Sequence, residues 1–249
     1  MQNSFQIENP NPSFLETSRR DSWWIGPFFT AIGLLAFVVY STWAAFQNEH
    51  YQWESYLSPF YAPLLEYDWW PLSPAFLILW APAGFRLTCY YYRKAYYRSL
   101  FLTPSACAVG GRPQNYRGEQ FMLLFQNLHR YFLYLALVFC VILSYDAYLS
   151  FTFKDGLGIG VGTVIMTLNA VFLTAFTFGC NSLRHLVGGN VDCYSCVNFG
   201  HQRYQAWKFV SIFNMHHMMW AWISLFWVGF TDLYIRLVSM GIITDYRIL

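Results

Sequence analysis

Long apolar stretches separated by polar connections dominate the pattern of this chain. Five of them, at 24–46, 72–92, 121–149, 159–184 and 207–238, hold few charged residues. Each reaches the roughly 20 residues that a helix needs to cross the hydrocarbon core of a bilayer. The pattern predicts an all-α polytopic bundle of five transmembrane helices, a single transmembrane domain over 1–249.

The basic residues predict how this bundle is oriented. Of fifteen Lys and Arg, only Lys154, Arg236 and Arg247 fall on one side. The other twelve lie on or near the opposite side: Arg19, Arg20, Arg86, Arg93, Lys94, Arg98, Arg112, Arg117, Arg130, Arg184, Arg203 and Lys208. Because basic residues near helix ends stay in the cytoplasm during insertion, the N-terminus is predicted inside and the C-terminus outside.

Composition strengthens the membrane assignment and adds little else. The chain is 56% hydrophobic and only 11% charged, with a mean hydropathy of +0.30. These values lie outside the range of soluble globular domains and predict a multi-pass protein of the cytoplasmic membrane. A net charge of +2 gives no indication of a nucleic-acid partner.

Cysteine and histidine gather towards the predicted inner side. Five of the six cysteines map to inner half-spans or inner loops: Cys89, Cys107, Cys180, Cys193 and Cys196. The sixth, Cys140, is expected to be an inert core residue. Five of the six histidines share the bias: His129, His185, His201, His216 and His217. Ionisable groups within spans are costly and usually functional, so this side is where chemistry is expected.

Depth along the helices sorts these residues further. At about 1.5 Å of rise per residue, four of the predicted spans each place one thiol or imidazole at a comparable depth. The residues are Cys89, His129, Cys180, and either His216 or His217. An arginine follows each of the two cysteines by four residues, on the same helix face and nearer water, where it would favour a thiolate. Two cysteines with two histidines form the ligand set of a Rieske [2Fe-2S] centre.

Four runs carry a resemblance to a known family. They are GFRLTCYYYRKAYYR at 84–98, FQNLHRYF at 125–132, CNSLRHLVGG at 180–189 and HHMMWAWISLFWVGFTDLYIRL at 216–237. These runs resemble the single-chain, five-helix membrane anchor, cytochrome b-type or Rieske-containing, of a class of succinate dehydrogenase, respiratory complex II. The resemblance implies that a flavoprotein and an iron-sulfur protein dock on the inner face. It further implies that electrons pass from succinate through a buried Rieske-type centre to quinone.

Two ligand sets remain possible. The first is the intramembrane layer of Cys89, Cys180, His129 and one of the adjacent His216 and His217, which point about 100° apart on a helix. The second uses the inner loop, where Cys193 and Cys196 form a Cys-x-x-Cys with Cys180 and with His185 or His201 nearby. We favour the layer, because no histidine lies two or three residues from a cysteine as in soluble Rieske proteins. Cys107 could replace Cys89 if its loop folds back.

A quinone site needs an apolar slot and a few hydrogen-bond donors. The candidates at the inner interface are Arg86, Tyr90, Tyr97, His185 and Trp207. Arg86 lies deepest and is expected to face the bundle, since its charge is costly against lipid.

Two alternatives remain open. A haem b could replace the cluster, with His129 and His216 or His217 as axial ligands. A small transporter could instead line a polar path with Arg86, Asn127 and His129. The sequence shows no dinucleotide fingerprint, phosphate loop or nucleophile triad, so the chain alone is not expected to catalyse succinate oxidation.

Overall fold

The apolar stretches form helices joined by short connections. The computed structural model of the protein describes residues 13–111 and 122–249. Within these ranges, four helices are long and apolar enough to cross a membrane: Ile25–Gln47 (α1), Leu124–Leu149 within α5 (Met122–Leu149), Val161–Phe178 (α6) and His217–Ser239 (α9). The all-α membrane fold is thereby confirmed. Arg112 and Arg117, used above to predict orientation, lie outside the described residues.

The predicted second span, 72–92, consists of three short helices in succession. They are Ala75–Ile78 (α2), Trp80–Thr88 (α3) and Tyr90–Ser99 (α4). Cys89 separates the last two, with extended dihedrals of φ −64° and ψ 130°. The passage therefore runs on to Ser99, and its last helix carries the polar run of tyrosines and basic residues.

The fourth and fifth predicted spans are also interrupted. After α6, Cys180 is extended and precedes the short helix Asn181–Arg184 (α7) and the π-helical turn His185–Gly189. A single 3-10 turn, Tyr194–Cys196, leads to Gly200–Met215 (α8). His216, at φ −112° and ψ 23°, separates α8 from α9. Of the four spans predicted to carry the layer, only the one with His129 is a continuous helix.

One end of the bundle is built from two hairpins and the C-terminal segment. Strands Gln52–Trp53 (β1) and Tyr56–Leu57 (β2) pair antiparallel, as do Thr152–Phe153 (β3) and Gly156–Leu157 (β4). The Tyr56 hydroxyl donates to Asp245 at 2.8 Å, and Gly160 bridges to Arg247. These contacts connect the predicted outer loops to one another.

A buried ion pair lies just beneath this end. Arg236 Nε is 2.8 Å from Asp232 Oδ2, with the two side chains 1% and 0% exposed. Tyr40 and Ser58 donate to the Asp232 carboxylate, while Arg236 donates to the carbonyls of Ala44 and Glu49. Every partner comes from a segment near the outer end, so the pair fastens α9 to α1 and to the first outer loop.

The opposite end gathers the predicted inner segments. Leu15 N donates to Gly110 O, and Arg19 Nη1 donates to Cys107 O, each at 2.8 Å. The N-terminal segment therefore lies on the same end as the connection after α4. Many apolar side chains on the helix exteriors, such as Phe29, Val39 and Val141, are exposed. A face of this kind is suited to lipid and not to water.

Candidate functional site

Four side chains from separate passages converge in the inner half of the bundle. They are Cys89 at 2%, Cys180 at 1%, His217 at 3% and His129 at 8% exposure. Three of them stand at or beside a break in the helical backbone. The breaks turn the side chains into the bundle interior, so the layer predicted from depth is brought together in space.

Cys89 and His217 form one pair of this cluster. Cys89 Sγ lies 3.8 Å from His217 Nε2. Cys89 is the N-cap residue of α4, so its sulfur lies at the N-terminal end of that helix. The imidazole of His217 stacks on Phe176 with ring centroids 5.1 Å apart.

Cys180 and His129 form the second pair, and its protonation can be worked out. Cys180 Sγ lies 3.1 Å from His129 Nε2, and Thr88 Oγ1 lies 3.0 Å from His129 Nδ1. The Thr88 hydroxyl donates its single proton to Gly84 O at 2.7 Å. It must therefore accept from His129 Nδ1–H, which leaves Nε2 unprotonated and aimed at the sulfur.

The structure separates the adjacent histidines that the sequence left open. His217 is buried, whereas His216 is exposed at the start of α9. His217 Nδ1 is buried without a hydrogen-bond partner. A Cβ on Gly179 would lie 2.8 Å from that nitrogen, so the glycine makes room for the ring.

The four side chains offer two sulfur and two nitrogen donors. Among the described residues, no three of His, Cys, Asp and Glu are grouped closely enough to hold a single ion. The four donors stand as two close contacts, each between one cysteine and one histidine. A two-iron cluster of the Rieske type takes two thiolates on one iron and two imidazoles on the other. The residues present therefore fit such a cluster in number, type and burial, while the close contacts join a thiol to an imidazole and not like to like.

Each imidazole faces a sulfur through Nε2, at 3.8 Å for His217 and 3.1 Å for His129.

A large cavity opens from these residues toward the inner end. Its volume is about 1150 Å³, and its wall includes all four side chains of the cluster. The described lining residues farther out include the cations Arg93, Lys94, Arg98 and Arg130, and no carboxylate. The cavity therefore joins the buried layer to a positively charged mouth.

The quinone candidates divide between cavities. Tyr90, Tyr97 and His185 line the inner cavity, although Tyr90 also has most of its ring on the surface. Arg86 lines a second, largely apolar cavity of about 280 Å³ on the other side of the layer. Trp207 lines neither of the two and lies under the Arg184 guanidinium at 4.6 Å. The structure thus does not bring the five candidates into one site.

Arg86 faces the bundle, as its cost against lipid led us to expect. Its guanidinium donates to the Tyr92 hydroxyl and, at 3.2 Å, to Ser224 Oγ. It also lies 4.9 Å from the ring centroid of Phe176, the ring that supports His217. Arg86 therefore places a positive charge directly behind the layer.

The arginines that follow the two cysteines turn to other partners. Arg93 lies over Phe125, and Arg184 donates to Ser211 at 2.9 Å. Because the helix restarts at each cysteine, positions four residues on no longer share the face that a continuous helix would give them.

The loop alternative finds less support. Cys193 and Cys196 are joined in a disulfide, and while that bond is intact neither sulfur is a free thiolate. His185 lies on the cavity wall and His201 is exposed on α8. Cys107 is exposed in its loop, whereas Cys89 is buried, and Cys140 is buried within α5.

Sequence reasoning missed the residues that support the layer. Thr88 fixes the His129 tautomer, and Phe85 stacks on the same imidazole at 4.6 Å with an interplanar angle of 3°. Gly179 followed by Cys180, Asn181 and Ser182 combines a flexible residue with residues that favour helix starts, and could have marked the break in the fourth span.

Comparisons with known proteins place the chain in context. Residues 25–241 match the sequence profile of the family described as actinobacterial succinate dehydrogenase subunit SdhC. A chain of the structure titled "Mycobacterium smegmatis Sdh1 complex in the apo form" superposes with a TM-score of 0.84 at 40% sequence identity. That match covers 99% of this chain and 97% of the other. No curated protein matches.

Proposed function

The chain belongs to the actinobacterial succinate dehydrogenase subunit SdhC family, and we propose that its buried layer of two cysteines and two histidines holds a Rieske-type [2Fe-2S] cluster. As a membrane anchor subunit of succinate dehydrogenase it is a multi-pass protein of the cytoplasmic membrane, and it forms part of an oxidoreductase without catalysing succinate oxidation alone. Family membership leaves the transporter alternative without support.

One observation carries the proposal. Cys89, His129, Cys180 and His217 come from four separate passages and meet as two close pairs, each side chain at most 8% exposed. Buried histidine and cysteine side chains of this kind are expected to be functional within a membrane. When bound, a cluster of this type supplies a one-electron carrier with a potential raised by its imidazole ligands.

The protein's own residues would set the properties of the site. Thr88 presents the Nε2 lone pair of His129 by holding the proton on Nδ1. Phe85 and Phe176 each stack on one of the two imidazoles and cover one face of the ring. Arg86 adds a positive charge behind them, which would favour the reduced state of a bound cluster.

The partners and the acceptor follow from the family and the cavity. We propose that the flavoprotein and iron-sulfur subunits of the dehydrogenase dock at the inner end. Quinone would enter the inner cavity, where Tyr90, Tyr97 and His185 offer hydrogen bonds to its carbonyl oxygens. Arg86 and Trp207 lie outside that cavity, so we assign them supporting roles.

Electron paramagnetic resonance of the reduced, purified complex tests the ligand assignment. Replacing His129 or His217 by Ala should abolish a Rieske-type signal, because each removes an iron ligand. His216→Ala is the matched control, since that ring is adjacent but exposed, and its signal should remain.

A second pair of variants tests whether a cysteine sulfur of the layer is an iron ligand. Cys180→Ala should lose the signal, whereas Cys140→Ala, at another buried cysteine in a span, should keep it. A signal that survives both His129→Ala and His217→Ala would reject the layer. A sharp α band in the visible spectrum of the reduced complex would instead establish haem b.

A further inference from the structure

The loop between α7 and α8 carries a disulfide that the electron-transfer role does not use. It joins Cys193 and Cys196 around a single 3-10 turn. Cys196 is exposed and Cys193 is partly exposed. The loop belongs to the end of the bundle where the basic residues predict the cytoplasm.

The position of this disulfide argues against a purely stabilising role. The cytoplasm keeps thiols reduced, and the disulfides that occur there are mostly transient, catalytic or redox-sensing. The bond also closes a very short loop, with a separation of three residues, so it restricts the unfolded chain little. Both considerations favour a reactive pair over a stabilising one.

We propose that Cys193 and Cys196 form a thiol–disulfide exchange site for a cytoplasmic protein dithiol of the Cys-x-x-Cys class. A thiolate of that dithiol attacks Cys196 Sγ, the more exposed sulfur, forming a mixed disulfide and releasing Cys193 as a thiolate that takes up a proton. The second thiol of the reductant then attacks the mixed disulfide and frees Cys196. Two electrons and two protons pass to the loop, and the external dithiol becomes a disulfide.

The pair is coupled to the wall of the inner cavity through the residue between the two cysteines. The Tyr194 hydroxyl donates to Gly188 O at 2.8 Å, within the turn His185–Gly189. The position of Tyr194 is tightly set, since a Cβ on Gly200 would lie 1.6 Å from its carbonyl oxygen. His185, at the start of that turn, lines the cavity.

Opening the disulfide should therefore loosen this contact. The ring of Tyr194 packs on Tyr204 at 5.3 Å, and Arg203 holds the turn by donating to Val187 O and Asn190 Oδ1. With the turn at Tyr194–Cys196 no longer closed by a covalent bond, Tyr194 loses one of the constraints that present its hydroxyl to Gly188. The redox state of the loop would thus alter the edge of the cavity.

Thiol labelling of the intact succinate dehydrogenase complex tests the exchange chemistry. The complex is equilibrated without denaturant in buffers of varied reduced to oxidised dithiothreitol, quenched in acid, and labelled with maleimide-polyethylene glycol. Two extra labels on this chain should appear at a midpoint that lies within the range of the cytoplasmic thiol pool. They should be missing from Cys193→Ser/Cys196→Ser, while Cys107→Ser should lose one label at every ratio and leave the midpoint unchanged.

Two labelling results would overturn the proposal. One is that Cys193 and Cys196 stay oxidised at the highest ratio of reduced to oxidised dithiothreitol. The other is that they are never oxidised at any ratio. A reduced thioredoxin-class protein should also lose one dithiol per chain that it reduces. Failure of that transfer, with dithiothreitol still effective, would reject the protein dithiol as partner.

Hydrogen exchange tests the coupling to the cavity. The amides of Asn190 and Val191 donate to His185 O and Gly188 O, and their exchange should accelerate on the order of tenfold after reduction. In Tyr194→Phe the exchange should be fast in both redox states, because the bond to Gly188 is already lost. Unchanged protection in the reduced parent protein would reject the coupling.

Discussion

Single atoms at the buried layer determine which way each histidine faces. His129 is held by a hydroxyl whose own proton is committed to Gly84 O, so the imidazole has one tautomer available. His217 has no such partner on Nδ1, and its orientation comes from stacking on Phe176 and from the space left by Gly179. The two imidazoles are therefore positioned by different means, one polar and one steric.

Removing the Thr88 hydroxyl should weaken the site without removing a ligand. In Thr88→Val, His129 loses the acceptor for Nδ1–H, and outer-shell changes of this kind typically cost about 10- to 100-fold in metal affinity. Iron content of the purified complex measures this loss. Thr167→Val is the matched control, because the Thr167 hydroxyl donates to Thr163 O in its own helix. Normal iron content in Thr88→Val would contradict the prediction.

Adding one methyl group at Gly179 should displace His217. Its Cβ would lie 2.8 Å from His217 Nδ1 and 3.0 Å from Phe213 O, so the ring or the helix break must move. Gly179→Ala should therefore reduce the Rieske-type signal strongly. Gly229→Ala, in the same helix as His217, meets nothing closer than 3.7 Å and should leave the signal intact.

At the scale of elements, interrupted helices create the site. Cys89 and Cys180 have the same dihedrals, φ −64° and ψ 130°, and each begins a new short helix. A continuous helix would keep each thiol among its own neighbours on one helix face. The breaks instead carry the thiols toward the centre, at the price of interrupted backbone hydrogen bonding inside the membrane region. Such backbone is tolerated only where protein surrounds it, as it does here.

The buried ion pair between Asp232 and Arg236 also acts at the scale of elements, because it connects α9 to α1 and to the first outer loop. Arg236→Met leaves the Asp232 charge buried without its cation, and breaking a buried pair from one side typically costs about 3–5 kcal/mol. We expect a clear fall in the midpoint of thermal unfolding of the solubilised complex. Asp232→Asn with Arg236→Met should recover part of the loss, because no uncompensated charge then remains.

An exposed ion pair at the same end provides the comparison. Lys154 Nζ lies 3.2 Å from Glu54 Oε1, but the Lys154 side chain is 81% exposed. Lys154→Met should cost no more than about 1 kcal/mol. Equal destabilisation by Arg236→Met and Lys154→Met would show that burial does not set the strength of these pairs.

At the scale of the whole molecule, the polar segments sort into two ends. The hairpins and the C-terminal segment form one end, and the N-terminal segment with the connection after α4 forms the other. The inner cavity is lined by cationic residues near the second end, among them Lys94 and Arg98. We therefore expect the chemistry on one side of the membrane.

Chemical labelling in whole cells can test this orientation. Asp155→Cys, at an exposed position after β3, should react with a membrane-impermeant maleimide added from outside. Native Cys107, exposed in an inner connection, should react only after the membrane is opened. Labelling of Cys107 in intact cells would reverse the orientation.

The membrane class could be predicted from the sequence, which also predicts an orientation and the residue types of the layer. Span length, basic bias and the inward grouping of Cys and His depend on composition along the chain, and they need no knowledge of which helices touch. Cys89, His129 and Cys180 were selected by comparing their depths along the helices. This comparison needs only the rise per residue, which is a local property and changes little across a short break. The resemblance to a succinate dehydrogenase anchor was confirmed by the family match.

Other features were decided only by the tertiary structure. The choice of His217 over His216 depends on the backbone at the α8–α9 junction, and the His129 tautomer depends on a threonine from another passage. The quinone candidates separated because Arg86 points behind the layer while Tyr97 and His185 point into the inner cavity. Hydropathy and charge are summed along the chain, whereas side-chain direction at a helix break is set by packing between helices, which no single segment of the sequence contains.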